Sequence, residues 1–176
     1  MKRLLLVSAV FLMVSCGGST LAVKANVNKK EIQEGMVASK TMPVSIAGFR
    51  YSKKADAFFR NDVSKDVQKR TTQVILKGQK LGNKAGRLKV KPSPKNLKDP
   101  YWADYFGEKT ISGKIQFNIR VGKNGKADII VIKKGISKEA NTIASKYISE
   151  STFYPGIHAK KNKPVRSWLS LNKTYN

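Results

Sequence analysis

Residues 113–132 read GKIQFNIRVGKNGKADIIVI, and this stretch decides the fold. Ile115, Phe117, Ile119 and Val121 alternate with Lys114, Gln116, Asn118 and Arg120. That period of two is the mark of a strand with one apolar and one wet face. Gly122-Lys123-Asn124-Gly125 then breaks the pattern, and Asn-Gly is the strongest short-range hairpin signal. Residues 127–132 are rich in β-branched side chains and form the returning strand, which ends at Gly135. Downstream, Ala140, Ile143, Ala144, Tyr147 and Ile148 recur at helical spacing. Phe153-Tyr154-Pro155-Gly156 closes that helix, 160–163 is a polar turn, and 165–174 is a third strand. The order predicts an α+β domain over 99–176, with a three-stranded antiparallel sheet and one packing helix.

Working outward, residues 83–98 (NKAGRLKVKPSPKNLK) are basic and contain Pro92 and Pro94, which predicts a linker and a domain boundary. A fragment starting near Lys98 is therefore expected to fold alone. Residues 43–82 form a small, partly helical region. Its first piece, 43–51, reads as a short strand. A helix in two pieces follows over 52–80, with Ala55, Phe58 and Phe59 at i, i+3, i+4 in the first. Val63, Val67, Thr71, Val74 and Ile75 make the stripe of the second, and Ser64 is its expected N-cap. Gly78, Gly82 and Gly86 end the periodicity. Residues 29–39 carry a weak amphipathic pattern broken by Gly35.

The N-terminus has a different logic. Met1-Lys2-Arg3 is basic, and residues 4–14 are an apolar run shorter than the roughly 20 residues of a membrane helix. The run ends at Met13-Val14-Ser15-Cys16, followed by Gly17 and Gly18. This resembles the bacterial lipobox. The resemblance implies a signal peptide over 1–15, diacylglycerol on the Cys16 thiol, acylation of its amine, and a tether over 16–42. More than one acyl chain gives a stable anchor. Gly17 stands where Asp would mark retention at the inner membrane, so the expected location is the periplasmic side of the outer membrane.

The 176 residues carry 35 Lys and Arg against 11 Asp and Glu, a formal charge of +24. An excess of that size attracts anionic partners, whether acidic proteins, lipopolysaccharide, nucleic acid or cell-wall polymers. One cysteine and one histidine (Cys16 and His158) exclude a disulfide framework and a multi-histidine metal centre. No Gly-x-Ser-x-Gly elbow or phosphate-binding Walker loop occurs, so the chain reads as a binding protein rather than an enzyme, with no cofactor. His158, between a Pro-Gly turn and lysines, reads as an exposed loop residue. Asp99, Asp104 and Glu108 read as charges near a helix start. Trp102, Tyr105 and Phe106 read chiefly as packing against the sheet, with a partner-binding patch as the alternative.

Five motifs in the C-terminal part add a family resemblance. Pro100-Tyr101-Trp102 precedes the strand start at Gly113, and Asn124-Gly125-Lys126 forms the hairpin. The Ala-rich helix ends in Phe153-Tyr154-Pro155, and residues 161–165 lead to the last strand. Residues 99–175 thus resemble the C-terminal domain of the TonB family, which includes TolA. The departures are Tyr101 following the proline, and Ser151-Thr152-Phe153 in place of an Arg-Trp pair. The chain has neither a long Pro-rich spacer nor an uncleaved membrane helix with a polar constellation, so the resemblance implies a binding module and not an energy transducer. It also implies strand addition at the last strand, where Trp168, Ser170, Asn172 and Lys173 are the expected partner-binding residues. The expected anion-binding residues are Lys114, Arg120, Lys160, Lys161 and Lys163. The protein is thus expected to be an adaptor in an envelope assembly such as a secretion, transport, pilus or conjugation apparatus. The alternative is an electrostatic binder of anionic polymers.

Overall fold

A computed structural model describes residues 45–176. The elements run β1 (Phe49–Ser52), β2 (Ala57–Arg60), α1 (Lys65–Leu76), β3 (Leu88–Val90), β4 (Ser93–Asn96), α2 (Ala103–Phe106), β5 (Gly113–Val121) and β6 (Ala127–Lys134). They continue with α3 (Lys138–Glu150), β7 (Thr152–Tyr154), β8 (Gly156–His158), β9 (Pro164–Val165) and β10 (Ser167–Tyr175). The architecture is α+β with antiparallel pairing throughout. The expected core of β5, β6, α3 and β10 is present. Its sheet, however, has five strands in the order β1-β2-β6-β5-β10, and not three.

Of the two extra strands, β1 falls on the short strand expected over 43–51, whereas β2 comes from a stretch read as helical. Phe58 and Phe59 are both buried, because each packs on a different face of the sheet. A strand buried on both faces shows no alternation, and its apolar run can be mistaken for a helical stripe. Pairing β2 to β6 sets Phe58 against Ile130, and β6 to β5 sets Ile130 against Ile119. Leu169 of β10 and Tyr51 of β1 complete a cross-strand row at its two ends. On the other face the row is Phe59, Ile129, Arg120 and Trp168.

Each face has its own cover. Ala144 and Ile148 of α3 join Ile115, Phe117, Ile119, Val121, Ile130 and Phe153 in the larger core. Ser137 caps α3, its side chain accepting from the Ala140 N–H at 3.1 Å. Val67 and Ile75 of α1 pack over Phe59, Val63, Ile129 and Val131 on the opposite face. Ser64 stands at the N-cap of α1, but its side chain accepts no capping hydrogen bond.

Residues 83–98, expected as a linker, contain β3 and β4. These run antiparallel to the segment after α3, pairing Leu88 with His158 and Pro94 with Phe153. Pro is tolerated there because each ribbon is narrow and has edge positions that need no N–H donor. Among the described residues these strands lie inside one compact unit, where a linker was expected. The aromatic segment takes its packing role. Trp102 lies against the larger core and meets Tyr175 edge-on, with ring centroids 4.9 Å apart. Asp104 is in the first turn of α2, while Asp99 accepts from Lys173 Nζ at 2.6 Å.

Candidate functional site

β10 is nine residues long and, among the described residues, pairs with β5 alone. Within a strand, one residue's N–H and C=O point the same way, and successive residues alternate sides. The Trp168 N–H donates to Asn83 Oδ1 at 2.8 Å, and Asn83 Nδ2 donates to the Trp168 carbonyl at 2.8 Å. Trp168 therefore directs its backbone groups away from β5. By alternation so do Ser170, Asn172 and Thr174, all three exposed. Asn83 imitates one residue of a neighbouring strand and closes the first position of this edge. The next three outward positions remain open among the described residues.

This geometry revises the expected docking residues. Trp168 is half-buried against the α1-side core, and its outward backbone groups are already held by Asn83. Lys173 directs its backbone toward β5, and its ammonium is paired with Asp99. Ser170 and Asn172 stay on the free edge. The Ser170 hydroxyl donates to the buried Asn118 Oδ1 at 2.8 Å, which fixes its side chain across the pair.

The expected anion-binding residues do not form one site. Lys160, Lys161 and Lys163 are exposed in the turn between β8 and β9. His158, at the end of β8, orders that turn, its Nδ1 accepting from the N–H groups of Lys160 and Lys161. Lys114 and Arg120 lie six residues apart on β5, about 20 Å along a strand. Arg120 instead meets two arginines that the sequence reading did not single out.

The meeting point is Asp128. It sits at a β-bulge, since Val121 pairs with Ala127 and Arg120 with Ile129, leaving Asp128 as the extra residue. Its side chain is 1% exposed. Arg60 reaches Oδ1 at 2.8 Å, Arg166 Nε donates to Oδ2 at 2.9 Å, and Arg120 stands 3.6 Å from Oδ2. The Arg60 contact is an ion pair off the hydrogen-bonding line, for Oδ1 has no hydrogen-bond donor. Arg60 spends its better geometry on Asp62, with two bonds at 2.7 and 2.8 Å. This fork is the main reason the Asp62 carboxyl is held below its ordinary value. Burial lowers the Arg120 guanidinium from its ordinary value, and the neighbouring Arg166 and Arg60 push the same way against Asp128. Gly122 makes room: a Cβ there would lie 2.8 Å from Asp128 Oδ1. The signal in the sequence was an Asp inside a β-branched strand, a position that demands cationic partners.

Among the described residues, no helix is long and apolar enough to cross a membrane, and no cluster of three or more His, Cys, Asp or Glu could hold a metal. Cys16 and the expected signal peptide lie outside the described residues. Comparison with known proteins returned no matching family model, no matching curated protein and no matching solved structure.

Proposed function

We propose that this chain is a periplasmic lipoprotein, tethered through Cys16 to the outer membrane, whose sheet recruits an envelope protein by strand addition along β10. The observation that carries the reading is the run of outward backbone groups at Ser170, Asn172 and Thr174 on the longer edge of the sheet. Unsatisfied N–H and C=O groups in register are a pairing template, and main-chain bonds supply most of the affinity in this mode. The charge of +24 favours a partner segment carrying Asp or Glu. The likeness of 99–175 to the TonB C-terminal domain, and the lipobox-like 13–16, support the same picture.

Two proline substitutions test it. Ser170→Pro deletes an outward donor and leaves the β5 ladder intact, whereas Leu169→Pro deletes a ladder donor. Ser170→Pro should keep the native circular dichroism spectrum and lose the partners that wild type recovers from an envelope extract. Leu169→Pro should lose the fold. If folded Ser170→Pro recovers the same partners, strand addition at this edge is wrong.

A further inference from the structure

We propose that the depression over Asp128 is a binding site for a phosphate monoester dianion, with Arg166 and Lys123 as its gripping residues. The depression measures about 280 Å³ and is lined by Arg60, Asp62, Lys123, Asn124, Asp128 and Arg166. This is a different place from the β10 edge and does not depend on strand addition.

Charge is the first argument. Arg60, Arg166 and Lys123 line the depression with Asp62 and Asp128, and Arg120 contacts Asp128 beside it, so among the described residues this cluster sets four cations against two carboxylates and leaves two positive charges unmatched. A buried carboxylate with one well-directed guanidinium and a second in contact needs no third. Bringing like charges together around it is costly unless something offsets them. A dianion matches that excess, where a carboxylate would meet half of it.

Donor geometry is the second argument. Arg166 uses only Nε on Asp128, and its side chain is 56% exposed. Its two terminal nitrogens carry no partner among the described residues. An anchored guanidinium with a free outer edge is a fork for two oxygens of one phosphoryl group. Lys123 adds a point charge from the β5–β6 turn, in the manner of phosphate-binding lysines. Arg120 Nε, on the guanidinium that meets Asp128, is buried without an acceptor among the described residues. Buried donors of that kind are rare, and a bound ion is one of the arrangements that account for them.

The probe is glycerol phosphate, a free monoester, titrated into the full chain at fixed ionic strength and followed by calorimetry. Saturable binding should weaken about tenfold or more in Arg166→Gln, the loss of charge-assisted bonds. Lys123→Gln, in an exposed turn, should weaken it less, and Arg166→Lys should fail to restore it because an ammonium is not a fork. Lys54→Gln, in the exposed turn between β1 and β2, removes the same charge elsewhere and should change affinity by less than about twofold. Equal losses in Lys54→Gln and Arg166→Gln, or no saturation, would overturn the proposal. Binding should also fall below about pH 6, where the monoester loses its second charge, and a pH-independent affinity would contradict a dianion site. Vesicles then identify the source. If a lipid headgroup is the ligand, Arg166→Gln should weaken binding to phosphatidic acid more than to phosphatidylglycerol vesicles of matched charge. If the ligand is a free metabolite, the two vesicle types should respond alike.

Discussion

The N–H of Phe153 donates to the carbonyl of Gly125 at 2.8 Å, joining the β5–β6 turn to the strand that follows α3. The turn itself has a three-residue loop, with Gly125 N–H bonded to the Gly122 carbonyl and Gly122 N–H to the Lys126 carbonyl. Gly125 sits at φ +74°, and a Cβ there would collide with the Phe153 carbonyl oxygen. Gly125→Ala therefore meets both backbone strain and a clash. It should cost about 1–3 kcal/mol, read as a lower urea midpoint with an unchanged slope. A variant as stable as wild type would mean the turn does not rest on Phe153.

Asp128 and Asp62 both contact Arg60, yet they should differ sharply on removal. Asp128 is enclosed by three guanidiniums, whereas the Asp62 side chain is 61% exposed. Asp128→Ala leaves the largely buried Arg120 beside two other guanidiniums with no carboxylate between them and should cost about 3 kcal/mol. Asp62→Ala should cost below about 1 kcal/mol, since water screens its pair. Equal costs in chemical denaturation would refute the central role of Asp128.

A fragment beginning at Lys98 lacks β1, β2 and α1. Ile129 and Val131 would then lose Phe59, Val63, Val67 and Ile75 as cover. Each large apolar side chain so stripped forfeits about 1.5–3 kcal/mol. The fragment should unfold without cooperativity, while residues 45–176 should retain a single sharp transition. Cooperative unfolding of the shorter piece would show that the first two strands are an accessory.

The Tyr51 phenol is pushed up to about 12, first by burial and then by its 2.9 Å hydrogen bond to Asp56. The fold thus favours the neutral phenol. Its contribution is complete below the ordinary value of 10.0 and fades as pH rises toward 12. A wild-type minus Tyr51→Phe difference titration, read by tyrosinate absorbance, should show its step near 12. A step at 10 would contradict the Asp56 contact.

Metabolic labelling with a fatty-acid analogue tests the anchor. Wild type should be marked and Cys16→Ser spared. Equal labelling of both would leave the lipobox reading without support.

Legibility followed periodicity. β5, its hairpin and α3 could be read because each shows one dry face against one wet one: Ile115, Phe117 and Ile119 at period two, Ala140, Ile143 and Ala144 at helical spacing. β2 could not, because Phe58 and Phe59 feed two cores at once and erase the alternation. Pro92 and Pro94 argued for a linker, yet proline is compatible with a narrow ribbon. The edge at Ser170 and Asn172 was readable from position alone. Asn83 was not, since nothing local distinguishes an amide bound 85 residues away from any loop amide. Arg60 and Arg166 were hidden for the same reason. Asp128 was visible as an anomaly, but its partners were set by tertiary pairing.

The sheet ends unequally, in four residues of β1 on one side and nine of β10 on the other. A building block with two good ends polymerises; one with a single good end has a valence of one. β1 offers four rungs against the nine of β10, so a guest that takes the β10 edge leaves no second edge of equal length. On the proposed mode of binding, this inequality favours a one-to-one complex. Raising the protein's concentration would then fill that edge without seeding a fibre.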